Sequence, residues 1–587
     1  MQTTKIKKTT TSKKQSDMPL YSKRSPARKK ATSEKGKPVK IAFLGGLNEI
    51  GKNMTLIEYD DDIIIIDCGL AFPDSDMLGV DLVIPDFTYV ERNADKLKGV
   101  LITHGHEDHI GGLAFLLKTV KVPVYATKLS IGLIEGKLKE HKILEDAKLN
   151  VIKPGQKFKL GKFEIEAIHV NHSIPDSVSY AIKCDAGTIL HTGDFKIDTT
   201  PIDGEVIDLS RFAELGKEGV LCMLSDSTNA EREGYSASES KVGDSFGNLF
   251  SKAGKRRLII ATFASNIHRI QQIIDVAHKT GRKVALSGRS IEYVVKISTE
   301  LGYLNIPEGL LIGIEKINNY NDDQLVIITT GSQGEPMSAL TRMAMSEHRK
   351  VDIGANDYVI ISATPIPGNE KTVSKVINEL IKLGAEVIYE KMHEVHVSGH
   401  AYQEELKLMM ALVKPKYFIP IHGEQKHLRK HAALAELIGI PSENIVIADI
   451  GSQVEFLGDS MRVSTGIPAG RVFVDGYGVG DVGSIVLRDR KLLSQDGIIV
   501  ISFVIDSVSR EIISPPEITS RGFVYVRESE QLFSAASEQA LHIAQRVLDN
   551  DSYDLNAVRT RVRDDIAKFM YEKTKRSPMV LPVILEV

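Results

Sequence analysis

Apolar residues fall into short runs that begin abruptly at Val39. Runs over 40–46, 54–59 and 63–66 have the length and β-branched content of strands. Strands then alternate with helical segments to about Asp226, the pattern of α/β layers. A second alternation occupies 236–385. Its strands are predicted over 257–262, 283–286, 325–329 and 358–362, with helices such as 267–278 between them, so a parallel sheet with crossover helices is expected. After Gly466 a linker carrying Pro468 and several glycines leads to a last segment, 482–587, with a strand over 499–504 and helices from Ser534 onward. That segment reads as a small α+β module.

Chemistry concentrates in Thr103-His104-Gly105-His106-Glu107-Asp108-His109, which follows the apolar run Val100-Leu101-Ile102 and precedes Gly111-Gly112. In extended backbone, residues two apart point the same way, so His104 and His106 can close on one metal ion while Asp108 and His109 face a second. Imidazole and carboxylate are the usual ligands of such ions, and a cluster of them at this spacing favours metal over isolated structural histidines.

The motif resembles the signature of the metallo-β-lactamase fold. That resemblance implies an aspartate ending an early strand, a third histidine for the first metal and a later aspartate bridging both. Asp67, after the run 63–66, His172, after the alternating run 163–168, and Asp194, after 188–193, stand in that order.

A chain of 587 residues exceeds one ordinary core, so two or three domains are expected. No apolar run approaches the roughly 20 residues of a membrane span, and Lys and Thr occupy the start where a secretion signal has its apolar stretch. Cys68, Cys184 and Cys222 are too scattered for a disulfide framework or a cysteine metal site, which fits a reducing cytoplasm. The net charge of −3 hides an asymmetry: residues 1–37 carry twelve Lys/Arg against Asp17 and Glu34, leaving about −13 on the rest. Rich in Thr, Ser and Pro, this tail cannot bury a core and is expected to be disordered. It is either a passive solvated tail or an electrostatic arm for a polyanion.

Histidines return after the second alternation, at His393, His396, His400 and His422. Late ligand-type residues mean that the first domain is completed by later sequence. This arrangement resembles the β-CASP nucleases, whose extra motifs match Asp226 in Ser225-Asp226-Ser227-Thr228-Asn229, His400 in His396-Val397-Ser398-Gly399-His400-Ala401, and His422 in Pro420-Ile421-His422-Gly423-Glu424. Within that group the chain is most similar to the bacterial ribonuclease J family, through Gly45-Gly46-Leu47-Asn48-Glu49-Ile50-Gly51-Lys52-Asn53-Met54, His172-Ser173-Ile174-Pro175-Asp176-Ser177 and Thr330-Gly331-Ser332-Gln333-Gly334-Glu335-Pro336. The similarity runs from about Val39 to the C-terminus.

The resemblance implies an α/β fold: a metallo-β-lactamase αββα sandwich with an inserted β-CASP α/β domain and a small C-terminal α+β domain. The boundaries read as a tail over 1–38, the sandwich over 39–235 and 386–455, the insert over 236–385, a linker over 456–481 and an accessory, dimerisation-linked domain over 482–587. It also implies that His104, His106 and His172 hold one divalent metal and Asp108, His109 and His422 another, with Asp194 between. The donors are all N and O, which admits zinc or manganese; the resemblance makes zinc the expected ion and manganese the alternative. Such a pair supplies hydroxide at neutral pH and clamps a phosphodiester. His400 then serves the leaving oxygen, Asp226 orients it, and Asp67 lies behind the ligands. Small-residue loops at Ser362–Thr364 and Ser398–Ala401 let backbone and hydroxyls approach an anion, and in the family the stretch His396–His400 contacts RNA and its terminal phosphate.

The implied activity is 5′-to-3′ exonuclease action on single-stranded RNA, preferring 5′-monophosphate ends, with internal cleavage, in RNA maturation and decay. A homodimer or homotetramer, associated with other RNA-decay proteins and not with membrane, is the implied assembly. A lactam or ester hydrolase would need neither the insert nor His400. A non-catalytic scaffold subunit and a DNA-directed nuclease of the same fold are the rival readings.

Overall fold

The computed structural model describes residues 36–74, 76–335, 337–366, 369–390, 395–506, 508–524, 529–549 and 554–587. The basic tail, apart from its last residues, and His393 lie outside them.

Two sheets face each other. An eight-stranded sheet runs in the order Ser460–Thr465, Ser452–Leu457, Val39–Gly45, Met54–Tyr59, Asp62–Ile66, Leu97–Leu101, Val124–Ala126, Leu149–Val151. The second, six-stranded, runs Tyr417–Ile421, Cys222–Asp226, Gly187–His191, Val178–Cys184, Phe163–His169, Lys157–Leu160. Ile41, Ile57, Ile64 and Ile66 from one sheet meet Ile165, Tyr180, Ile189 and Ile419 from the other in a closed apolar layer. Outside it, the helices Leu209–Glu218 and Gln403–Val413 cover the second sheet through Phe212, Leu215, Leu406 and Met409. The result is an αββα sandwich.

Cys222–Asp226 pairs parallel with Tyr417–Ile421, although almost two hundred positions separate them in sequence. The intervening chain builds a six-stranded sheet in which every pairing is parallel, ordered Leu311–Ile312, Lys283–Ser287, Leu325–Thr329, Arg257–Ala261, Asp357–Ile361, Glu386–Ile388. Its central strands are buried on both faces, which is why their middles read as continuous apolar runs, Leu325–Ile328 and Tyr358–Ile361. The helix Arg289–Leu301 packs on Lys128–Glu140 of the sandwich, and Tyr293 donates its hydroxyl to the Gly132 carbonyl at 2.8 Å.

The segment expected to be a linker over 456–481 is instead largely structured. Ser460–Thr465 pairs antiparallel with Ser452–Leu457, and Arg471–Asp475 pairs with Leu82–Pro85. Ser460–Thr465 is an exposed edge strand with little apolar alternation, and the partner of Arg471–Asp475 lies far off in sequence, so periodicity had nothing to register. The last module packs Glu530–Leu548 and Leu555–Thr574 on one face of the sheet Ile512–Arg521, Ile498–Ile505, Met579–Glu586.

Candidate metal centre and active site

The site is built from loops at the ends of sandwich strands and from one short helix, Glu107–Ile110, which carries Asp108 and His109 where extended backbone was expected. Asp67 leaves the strand Asp62–Ile66 in left-handed backbone (φ +61°), a conformation that costs of order 1 kcal/mol for a residue with a side chain. Its carboxylate offsets that cost by accepting from Thr103 N at 2.8 Å, Thr103 Oγ1 at 2.9 Å and His109 Nδ1 at 2.8 Å. Gly69 is required nearby, because a Cβ there would overlap the Asp108 carbonyl.

Tautomers follow from what each outer nitrogen faces. The carboxylate of Asp67 only accepts, so His109 Nδ1 carries a proton and its Nε2 is the nitrogen left to face an ion. The Gly399 carbonyl fixes His172 in the same way at 2.7 Å. Thr103 gives its hydroxyl proton to Asp67, leaving its oxygen to accept from His104 Nδ1 at 3.0 Å. Thr228 likewise donates to Asp226 Oδ1 at 2.8 Å and accepts from His422 Nδ1 at 2.7 Å. Four imidazoles therefore present Nε2.

These nitrogens converge. His104 Nε2 and His172 Nε2 lie 3.0 and 3.1 Å from His106 Nδ1. Nitrogens bound tetrahedrally to one ion at 2.0–2.1 Å stand about 3.4 Å apart, so this trio fits a divalent cation. A second group gathers Asp108 Oδ2, 3.2 Å from His422 Nε2 and 3.5 Å from His109 Nε2, while Asp194 Oδ2 lies 3.2 Å from His109 Nε2. Asp194 Oδ2 also lies 3.7 Å from His104 Nε2 and 3.8 Å from His172 Nε2, facing both groups at once.

The charges differ between the groups. Burial, reinforced by neighbouring imidazoles, holds His104 and His172 well below the usual range, and burial brings His106 to about 4. That trio is neutral, as a metal requires. In the second group burial is overcome by carboxylates: Asp194, Asp108 and Asp226 push His422 up to about 10, and Asp194, Asp108 and Asp67 raise His109. A cation entering there displaces protons.

His400 stands beside the second group. Its Nδ1 donates to Asp226 Oδ2 at 2.8 Å and lies 3.9 Å from Asp194 Oδ2, and its side chain is 20% exposed where those of Asp194 and His422 are nearly sealed. The loop leading to it is tightly held. Asn229 Nδ2 donates to Ser398 Oγ at 2.7 Å and to the His400 carbonyl at 3.2 Å, and Ala401 N donates to the Phe195 carbonyl. Val397 and Ala401 are buried. His396 Nδ1 and Thr364 Oγ1 are buried with no hydrogen bond from the described residues. Ser362, expected to face an anion with Thr364, is instead fully buried: its hydroxyl donates to the Val395 carbonyl and accepts from Arg269. It is a strut between two loops.

The sequence singles out the ligand-type residues brought together here and, among their supports, Asp67 and Asp226, but not the others. Asn53 Nδ2 donates to the Asp108 carbonyl at 3.1 Å, and Thr103, Thr228, Asn229 and Arg269 hold ligands or loops. Only their place in motifs already quoted could have suggested Thr103, Thr228 or Asn229. His191, also overlooked, lines a small cavity behind the centre with Asn53, Thr55, His109 and Asp194.

The chain matches the family described as "Metallo-beta-lactamase superfamily" over 47–217 and "Ribonuclease J, beta-CASP domain" over 255–380. It matches "Zn-dependent metallo-hydrolase RNA specificity domain" over 384–447 and "Ribonuclease J C-terminal domain" over 485–587. Fold, centre and matches define a metal-dependent nuclease of the metallo-β-lactamase superfamily with an inserted β-CASP domain. The chain is 43% identical to ribonuclease J2 of Bacillus subtilis (strain 168) over 94% of its own length and 99% of that protein's. It is 44% identical to ribonuclease J 1 of Streptococcus pyogenes serotype M3 over 94% and 98%, and 40% identical to ribonuclease J 2 of Staphylococcus aureus (strain NCTC 8325 / PS 47) over 94% and 99%. It belongs to the ribonuclease J family, and is a hydrolase that acts on RNA. A solved structure of a protein of unknown function from Enterococcus faecalis V583 shares the fold, with a TM-score of 0.51 at 16% identity over 71% of this chain and 100% of that one. No described helix is long and apolar enough to cross a membrane.

Proposed function

We propose that the protein degrades single-stranded RNA from 5′-monophosphorylated ends, one nucleotide at a time, and also cuts internally, in RNA maturation and decay. The observation that carries this reading is the two groups of donor atoms on either side of Asp194, with the His400–Asp226 pair and the loop 396–401 at their edge. His104, His106 and His172 would hold one divalent ion and Asp108, His109 and His422 the other, zinc first and manganese as the alternative. Bound there, the pair supplies hydroxide at neutral pH and positive charge against the scissile phosphate.

The protein's own residues do the rest. Asp226 holds the His400 ring with Nε2 turned away from it, so a proton on Nε2 can pass to the departing 3′ oxygen. Asp67 fixes His109 through a hydrogen bond, and Gly399 fixes His172. His396, Ser398 and Thr364 form the receptor for a terminal phosphate: unspent buried polar atoms supply donors, and the small residues around them admit a monophosphate more readily than a triphosphate. Intact ligand positions favour this reading over a non-catalytic scaffold subunit.

Counting Glu386–Ile388 with the insert's sheet and Ser460–Thr465 with the sandwich's, the working domain boundaries become 39–235 with 389–465 for the catalytic sandwich, 236–388 for the insert and 482–587 for a module that assembles a homodimer or homotetramer in the cytoplasm. Incubating 5′-monophosphate and 5′-triphosphate RNA with the protein, with and without chelator, tests the function. Chelator-sensitive release of labelled mononucleotide from the monophosphate RNA alone is expected; equal rates on both ends, or longer labelled products, would refute it.

A further inference from the structure

The helix Ile267–Lys279 packed on the inserted sheet places a guanidinium in the interior, where charge is costly unless it is paired and hydrogen-bonded. Arg269 is fully buried in its first turn. Its Nε donates to Glu239 Oε1 at 2.6 Å. One terminal nitrogen reaches three oxygens: Ser362 Oγ at 2.7 Å, the Ser362 carbonyl at 3.2 Å and the Val395 carbonyl at 3.0 Å. Ser362 closes the triangle by donating its hydroxyl to the same Val395 carbonyl.

The anchor continues toward the metal centre. Glu239 N donates to Asp198 Oδ2 at 3.1 Å, and Asp198 pairs with the buried Lys196 at 3.2 Å. Lys196 is two residues beyond Asp194. A buried run of polar contacts thus joins the backbone that carries Asp194 to two separate loops.

Each loop carries an unspent polar atom just past the point where Arg269 grips it. Thr364 lies two residues after Ser362, and His396 one residue after Val395; Thr364 Oγ1 and His396 Nδ1 are the buried atoms without hydrogen-bond partners noted above. Gln333 clamps the first loop further, donating to the Thr364 carbonyl at 3.0 Å and accepting from Ile366 N at 2.7 Å. An apolar core would hold two loops together as well as a buried ion pair does, but the planar fork fixes where they sit: one terminal nitrogen gathers both loops while Nε, at a set distance, is held by Glu239.

We propose that Arg269 is a positioning residue that sets the gap between Thr364 and His396 and so determines the preference for a 5′-monophosphate end. This inference rests on the terminal-phosphate reading above. Lysine in its place keeps the charge but, as a single point donor, cannot serve Glu239 and both loops together.

The test uses the full chain and one RNA sequence in three forms: linear with a 5′-monophosphate, linear with a 5′-hydroxyl, and circular. In Arg269→Lys, kcat/KM on monophosphate RNA should fall at least tenfold, mainly through KM. The monophosphate-to-hydroxyl ratio should approach one, and internal cleavage of the circle should stay within twofold. Metal content and Tm are measured alongside. If Arg269→Lys does not fold, Glu239→Gln, which leaves Arg269 in place but removes its charged anchor, should lower the same ratio. An unchanged ratio, or a circle cleaved more slowly in step with the linear RNA, would overturn the proposal. A wild-type protein with no monophosphate preference would instead overturn the phosphate reading, and this inference with it.

Discussion

Asp226 Oδ2 accepts a hydrogen bond from His400 Nδ1 at 2.8 Å, while its Oδ1 is held by the backbone and hydroxyl of Thr228 at 2.9 and 2.8 Å. Both carboxylate oxygens are committed, so the imidazole is held in one tautomer and one orientation. His106, by contrast, aims Nδ1 into the imidazole trio. His400→Ala should therefore lower RNA cleavage by roughly 10²- to 10⁴-fold with bound metal near normal. His106→Ala should lose both. Elemental analysis beside the cleavage assay separates them; loss of metal in His400→Ala to the extent seen in His106→Ala would make His400 a ligand.

How much of this was legible in the sequence depended on the range of the forces involved. The strands 63–66 and 325–328 announced themselves because burial on both faces leaves only apolar side chains. The cluster 104–109 was legible because one short stretch of chain supplies four donors, the last two from the helix Glu107–Ile110. His172, Asp194 and His422 needed a family pattern, since nothing local says that strands so far apart will pair. Ser362 defeated composition altogether: a small hydroxyl after a strand looks the same whether it meets a phosphate or, as here, a carbonyl and a buried guanidinium.

The second donor group predicts a pH dependence of metal uptake. Without a cation, His422 is raised to about 10, so its pair with the carboxylates stabilises the metal-free protein fully below about 6.5, and that contribution is lost as pH rises through about 10. A cation must displace that proton. Metal affinity should accordingly rise with pH between 6 and 9, and calorimetry in buffers of different ionisation enthalpy should show net proton release. No release at pH 7 would mean that His422 is not a ligand.

Lys52 ties this centre to the chain beyond the sandwich. It is fully buried in left-handed backbone (φ +54°), paired with Glu49 at 2.9 Å and donating to the Gly470 carbonyl at 3.3 Å, while Glu49 also faces Arg471 at 3.6 Å. The same loop holds His422, whose N donates to the Gly46 carbonyl. Removing one partner of a buried pair costs about 3–5 kcal/mol, so Lys52→Met should lower Tm by several degrees and weaken metal binding as well. A variant with normal Tm and metal affinity would show the latch to be dispensable.

Residues 1–37 lie mostly outside the described structure, and their excess of ten positive charges has its own consequence. Sequence-independent phosphate contacts make log K for single strands fall with log salt by about 0.7 per phosphate neutralised. Deleting 1–37 should flatten that slope while sparing turnover of short RNA at saturation. An unchanged slope would make the tail passive.

Self-association should reside in the last module, and the fold decides how to test it. Cutting the chain near Gly466, within the sequence-predicted linker, would remove Arg471–Asp475 from its pairing with Leu82–Pro85 and the Gly470 carbonyl from Lys52, so instability would mask any change in assembly. The strand Met579–Glu586 offers a cleaner probe. One face of its sheet is covered by two helices, while Leu581, Val583 and Leu585 remain 48%, 39% and 60% exposed. Apolar side chains in such a row gain by burial against another subunit, at about 25 cal/mol per Å² removed from water. Replacing Leu581 and Leu585 together by Lys sets charges on this row without touching the packed face. Sedimentation should then show a shift toward monomer, with Tm little changed and RNA cleavage retained. A double variant that sediments as wild type would move the interface off this strand, and one that unfolds would show that the row packs within the subunit.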